Sequence, residues 1–433
     1  MTGSGYVGVV GMLAVLASVA DAQQSRPTTY GRNYDESKVG SYRMPDPLLR
    51  KNGRRVTDAS SWVATRRGEI LSDFRDLMYG HTPDLAVRLK AEEIDVRQDA
   101  VDGLATRTLI NLRFFDHPEA PHINLMLYLP NGATKPAPVF LGPSFFGNAS
   151  VESDPSIPLP RGWLRPQATA AVVNNRPTEA LRGMNASRWP LALALKCGYG
   201  VATFFYGDVE PDHIDGWRDG IRGYALKTTG RTERAVDEWG ALGAWAWGMS
   251  RALDYLATNP GVDPKRVAVF GHSRIGKAAL WAGAQDERFA LVISNNSGEG
   301  GASLARRNFG ENIAYSIAHA SWRYSNRFRD YIDRASNLPF DQHMLLALIA
   351  PRPVYVSSAT EDPGADPKGE FLSALHAAPV YELYGRRGVA ASEWPAPDTP
   401  IGDTIGYHLR TGQHDITAYD WEQFLTFADR HLK

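Results

Sequence analysis

The sequence predicts an α/β fold on a mostly parallel central sheet, and three observations predict it. From about residue 139 onward, short strand-like runs alternate with helix-like runs, the order that lays helices on both faces of such a sheet. Arg266–Phe270 (RVAVF) and Leu291–Ser294 (LVIS) are short and nearly all apolar, as strands covered on both faces must be. No linker is long enough to separate two domains, so one domain is expected over residues 57–433.

The elements follow in order. An apolar run from about Tyr6 to Ala20 is too short for a comfortable membrane span. It ends in Ala20-Asp21-Ala22, the small-x-small pattern cut by signal peptidase. Although no Lys or Arg precedes it, residues 1–22 read as a signal peptide, which predicts a secreted or periplasmic protein. Residues 23–56 are rich in Ser, Arg, Tyr and Pro without periodicity, and read as an extended N-terminal arm laid over the fold or partly disordered. Trp62–Met78 carries apolar residues at helical spacing. Leu89–Val96, Leu104–Phe114, Ile123–Leu129 and Val139–Leu141 read as strands, antiparallel at the N-terminal side. Then come a strand at Tyr199–Tyr206, a long helix at Glu238–Thr258, and the RVAVF strand. A helix from Ile275, strands at Leu291–Ser294 and Pro353–Ser357, and a terminal helix at Asp420–His431 complete the order.

Charge and cysteine usage exclude several functions. The chain has 47 Lys+Arg against 48 Asp+Glu, without the basic excess that nucleic acid or an acidic membrane demands. Its single cysteine, Cys197, excludes an intrachain disulfide framework and a Cys-based zinc cluster. No metal cluster, phosphate loop or cofactor fingerprint is visible, so no cofactor is expected, and the protein is expected to be a monomer.

The most informative segment is RVAVFGHSRIGK at Arg266–Lys277. A buried strand runs into Gly271-His272-Ser273-Arg274-Ile275-Gly276, and helix-forming residues follow. A serine on such a strand-to-helix turn is lifted out of the sheet, beside helix N-terminal amides that can hold developing negative charge. Ser273 is therefore the candidate nucleophile of an α/β-hydrolase fold, a three-layer αβα sandwich, although glycine arrives one position late at Gly276. The competing reading is a serine that caps the helix.

A serine needs a histidine base and a carboxylate behind it, and in this fold both follow the serine in the chain. His414 lies in a polar, Gly-containing loop, RTGQHD at Arg410–Asp415, just before the terminal helix; His408 is the rival by the same loop argument. Asp362, just past the strand Pro353–Ser357, is the chosen acid, with Glu361 and Asp366 as alternatives.

Taken together, these residues resemble the glucuronoyl esterases of carbohydrate esterase family 15. The nucleophile turn G-[CH]-S-R-x-G-K is matched by Gly271, His272, Ser273, Arg274, Gly276 and Lys277. An S-G-x-G-G stretch falls at Ser297–Gly301, E-D-x-x-A-D-P-K-G-E-F at Glu361–Phe371, and G-x-H-D at Gly412–Asp415. The resemblance implies an α/β-hydrolase that cleaves esters between (4-O-methyl-)glucuronic acid of glucuronoxylan and lignin alcohols. It implies attack by Ser273, proton transfer by His414, oxyanion stabilisation by Arg274, and sugar binding by Lys277 and Glu311. A cation beside Ser273 opposes the helix dipole, which itself points to function for Arg274 and Lys277.

Two departures accompany it. Asn296 stands where many members carry the acid, which moves that role to Asp362 and leaves Glu299 as a local competitor. Gly364 stands where a sugar-packing tryptophan is usual. Two other readings use the same residues: an acetylxylan or feruloyl esterase, and a hydrolase-like protein that binds xylan without turnover.

Overall fold

Strand alternation in the second half of the chain builds the sheet the site stands on. The computed structural model describes residues 1–3, 32–167 and 169–433, so most of the expected signal peptide lies outside the described residues. Ten strands form one sheet: β1 (Lys90–Ala100), β2 (Ala105–Arg113), β3 (His122–Pro130), β4 (Ala137–Leu141), β5 (Gly200–Thr203), β6 (Val262–His272), β7 (Leu291–Asn295), β8 (Val354–Ala359), β9 (Ile401–Gly402) and β10 (Ile405–Arg410). Their spatial order is β1-β2-β3-β5-β4-β6-β7-β8-β10-β9. The six strands from β5 to β10 in that order pair parallel, and antiparallel strands flank them on both sides. This is the mostly parallel α/β sheet expected, with the expected antiparallel strands at the N-terminal side and one more, the short β9, at the opposite edge.

Burial explains the layers. Val267, Ala268 and Val269 of β6 are completely buried, because helices cover both faces there. At the edge, β1 exposes Lys90, Glu92, Glu93 and Arg97, and these charges discourage pairing with another chain. The helices that matter for the site are α1 (Ala241–Leu256), α2 (Arg274–Gln285), α3 (Ile313–Ala320), α4 (Pro367–Glu382) and α5 (Ala418–Leu432). Small residues on α2 (Gly276, Ala278, Ala279, Ala282, Gly283, Ala284) let it lie close against the sheet under the Ser273 turn. Among the described residues, no helix is long and apolar enough to cross a membrane.

Three sequence expectations are corrected. The Tyr199–Tyr206 strand is shorter: β5 ends at Thr203, and Tyr206–Val209 turns helically instead. The Trp62–Met78 segment lies within a longer helical stretch, 59–79, that includes two π-helical turns. His408 is not in a loop. It lies within β10, fully buried, where IGYHLR lacks the apolar run that marks the other central strands. Its imidazole is satisfied inside the core by Asp420 at 2.9 Å and Tyr355 at 3.0 Å.

The arm, from Arg32 onward, lies on the fold beside the C-terminal ends of the strands. Asn33 bridges Gly310, and Glu36 pairs with Arg307 and Lys368, each at 2.8 Å.

Candidate active site

β6 delivers its last residue, His272, to the sheet's C-terminal edge, and α2 begins at Arg274. Ser273 between them has φ 55° and ψ −129°, a region few L-residues occupy, at a cost of about 1–3 kcal/mol. Its amide donates to the Asn295 carbonyl at 2.8 Å, which ties the turn to the neighbouring strand. Gly271 is required here, because a Cβ would collide with the Ile275 carbonyl. That close approach explains why glycine stands two residues before the serine.

The loops that carry His414 and Asp362 leave adjacent parallel strands, β10 and β8, and are clipped to each other. Thr360 and Glu361 amides donate to Arg410 and Gly412 carbonyls at 2.9 and 2.8 Å, and the Gly412 amide donates to Thr360 Oγ1 at 3.0 Å. This clip brings His414 Nδ1 to 2.6 Å from Asp362 Oδ2. Asn296 donates from Nδ2 to the same oxygen at 3.0 Å, so the residue at the expected acid position supports the carboxylate instead. Burial alone would raise the Asp362 carboxyl; the hydrogen bond and charge of His414, with the Asn296 amide, outweigh it and hold the group below the usual range.

The alternatives for the acid fall elsewhere. Glu361 points to solvent. Asp366 is buried at the start of α4, where it caps the Gly369 amide at 3.0 Å and pairs with Arg307 at 2.9 Å. Glu299, the local competitor, does not partner His414. It is buried beside Lys277, and burial pushes its carboxyl up and the Lys277 ammonium down. The imidazole of His414 is partnered by Asp362 instead.

Arg274 and Lys277 both face the site from α2. Arg274 approaches Asp212 at 3.4 Å, and the same carboxylate takes two bonds from Arg323 at 2.8 and 2.6 Å and one from Trp322 at 2.9 Å. Burial opposes ionisation of Asp212, but the two guanidinium charges and these donors hold it well below the ordinary carboxylate range. Asp212 therefore orients the arginine next to Ser273. Lys277 Nζ donates to the Glu299 carbonyl.

Two cavities meet at the serine. The larger, about 570 Å³, is lined by Ser273, Arg274, Lys277, Glu311, Tyr315 and His414 among others. The smaller, about 240 Å³, shares Ser273, Arg274, Arg165 and His414 but is walled by Phe145, Phe146, Tyr206, Arg188 and His272. Arg32 of the arm pairs with Glu311 at 3.0 Å and stacks 4.2 Å above the Tyr315 ring. A Cβ at Gly364 would lie 3.9 Å from Arg32 Nη1, so this cation–aromatic pair borders the space left open by the glycine.

A family model described as "Glucuronyl esterase, fungi" matches residues 232–385. Carbohydrate esterase MZ0003, from an unknown prokaryotic organism, is 44% identical over 403 residues, 93% of this chain and 92% of that protein. A solved promiscuous CE15 esterase from a marine bacterial metagenome is 44% identical with a TM-score of 0.87, covering 93% of this chain and 100% of that one. The chain belongs to carbohydrate esterase family 15, the glucuronoyl esterases. A solved glucuronoyl esterase from Solibacter usitatus is similar at 46% identity and a TM-score of 0.87, over 92% of this chain and 100% of that one. Membership makes the chain a carboxylic ester hydrolase with an α/β-hydrolase fold.

Some residues of this glucuronoyl esterase site were not legible beforehand. Glu370 of α4 accepts from the Ser297 and Gly298 amides at 2.8 and 2.9 Å and from Ser358 Oγ at 2.6 Å. It thereby pins the Gly-rich turn to the end of β8; the motif contained this glutamate without disclosing its partners. Glu370→Ala strands two buried amides, and urea unfolding should show a loss of about 3 kcal/mol or more. Asn295 and Arg32 carried no sequence signal at all.

Proposed function

We propose that this enzyme hydrolyses the ester joining a (4-O-methyl-)glucuronic acid of glucuronoxylan to a lignin alcohol, outside the cytoplasm, through a Ser273–His414–Asp362 triad. The observation that carries the reading is the 2.6 Å contact between His414 Nδ1 and Asp362 Oδ2, on a cavity the left-handed Ser273 shares.

The chemistry follows from the donors. With Nδ1–H held by Asp362, His414 presents its Nε2 lone pair as general base to Ser273. Serine attack on the uronic carbonyl forms a tetrahedral oxyanion. The Arg274 amide, free as the first of its helix, and the Arg274 guanidinium supply donors to it. The turn after β4, residues 142–148, borders Ser273 through Phe145 and Phe146, where this fold draws a second oxyanion amide; its Gly142 and Ser144 amides are spent on Ala202 and Phe204 carbonyls at 3.1 and 2.7 Å, so that donor comes later in the turn. His414 returns the proton to the departing alcohol, and water then cleaves the acyl-enzyme by the reverse roles. Lys277 and Glu311, on the larger cavity, suit hydroxyls of the uronic ring.

Arg274→Gln should lower kcat about 10²–10³-fold, the usual weight of an oxyanion donor, with the fold kept by circular dichroism. The deciding experiment compares turnover of benzyl glucuronate, acetylated xylan and a feruloyl ester by purified enzyme. Preference for the glucuronate supports the assignment; preference for either other ester overturns it in favour of an acetylxylan or feruloyl esterase.

A further inference from the structure

A row of polar side chains crosses the core behind the nucleophile. In the parallel register His272 of β6 stands opposite Asn295 of β7, Asn295 opposite Ser357 of β8, and Ser357 opposite His408 of β10. All four are buried. Asn295 Nδ2 donates to Ser357 Oγ at 2.9 Å and to Asp420 Oδ1 at 3.3 Å, and His272 Nδ1 lies 2.5 Å from Asn295 Oδ1.

The row dictates one arrangement of protons. Asp420 is surrounded by donors, the Thr417 amide at 2.7 Å, Thr417 Oγ1 at 2.9 Å and His408 Nε2 at 2.9 Å, and the Arg410 guanidinium pairs with it at 3.0 Å. It is an acceptor only, so Asn295 must turn its amide nitrogen toward it and its oxygen toward His272. His272 Nδ1 must then carry a hydrogen, which leaves the lone pair on Nε2. The ring is kept neutral first by burial and then by the nearby charges of His414 and Arg188, which all lower its pKa well below the usual value.

This fixed acceptor stands on one side of the reaction. His272 lines the smaller cavity and not the larger one. Its ring centroid is 4.6 Å from that of His414 and 6.0 Å from that of Phe145. With the uronic ring on the Lys277 and Glu311 side, the smaller cavity is where the alcohol departs and water enters.

We propose that His272 positions the hydrolytic water, its Nε2 accepting one O–H while His414 Nε2 accepts the other. The inference rests on the acyl-enzyme reading of Ser273. In the step, water oxygen bonds to the acyl carbon as its proton passes to His414. The tetrahedral oxyanion then collapses, the C–O bond to Ser273 breaks, and His414 returns that proton to Oγ. His272 only accepts a hydrogen bond and takes no proton, so charge balances without it.

The test separates deacylation from acylation. His272→Phe keeps an aromatic ring beside His414 and removes the acceptor; His272→Gln keeps both a donor for Asn295 and an acceptor for water. With benzyl glucuronate, His272→Phe should lower kcat about tenfold to a hundredfold and lower KM with it, leaving kcat/KM nearly unchanged, because kcat/KM stops at alcohol release. Intact-mass analysis after acid quench should show a glucuronoyl group accumulating on this variant, and His272→Gln should regain most of the turnover. An equal fall in kcat and kcat/KM without an accumulating adduct, or an unchanged kcat, overturns the inference. If Ser273→Ala also retains turnover, the serine reading itself has failed; if it is inactive, only the role of His272 has.

Discussion

Ser273→Ala is expected to lower turnover of benzyl glucuronate by about 10⁴-fold or more, the usual consequence of removing the nucleophile of a triad. KM should change little, because the larger cavity keeps Lys277, Glu311 and Arg274. The substitution keeps a Cβ at the left-handed position, so the strain at φ 55° persists and thermal stability should stay close to that of the parent. Turnover within tenfold of the parent would remove Ser273 from the mechanism. The comparison needs a fold check by circular dichroism and a kinetic limit low enough to see the residual rate.

Asp362→Asn is expected to cost about 10³-fold or more in kcat. One oxygen, Oδ2, now accepts from both His414 Nδ1 and Asn296 Nδ2. An asparagine at 362 either keeps its oxygen there and loses the charge, or turns its NH₂ there and faces Asn296 with donor against donor. In the second case it also reverses the imidazole tautomer, so Nε2 no longer accepts the serine proton. Asn296→Ala removes only one hydrogen bond to the carboxylate, worth about tenfold. A larger loss at Asn296 than at Asp362 would put the acid elsewhere.

The same carboxylate has a consequence for acid stability. Its folded-state pKa lies below the unfolded one, so the stabilisation is present above the ordinary aspartate value and is lost as pH falls through the folded-state value. Asp362→Asn should therefore flatten the stability curve below about pH 4, as read from urea midpoints measured at falling pH. An acid limb identical to the parent's would mean that the pair contributes nothing to folding.

The parts of this site that were legible in advance share one property: their signal is local. A run such as RVAVF before GHSRIGK announces a buried strand, a tight turn and a helix within twelve residues, because each depends only on its immediate neighbours. Loop composition and chain order point to His414. The same reasoning makes His408 a loop rival, since a polar residue in IGYHLR looks like loop until a partner 12 positions away in α5 meets it in the core. Asn296 looked like a loss; only the fold shows its amide 3.0 Å from a carboxylate 66 positions later.

The order of chemical groups, the strand–turn–helix at the serine and the α/β architecture were determined by the sequence alone, because helical and strand periodicity and turn chemistry act over a few residues. Which carboxylate meets which imidazole, which nitrogen of His272 holds a hydrogen, and that Arg32 reaches Glu311 across 279 positions were decided only in three dimensions. Side-chain pairing depends on strand register and loop clipping, and those distances are set by packing between segments that carry no mark of each other in the chain.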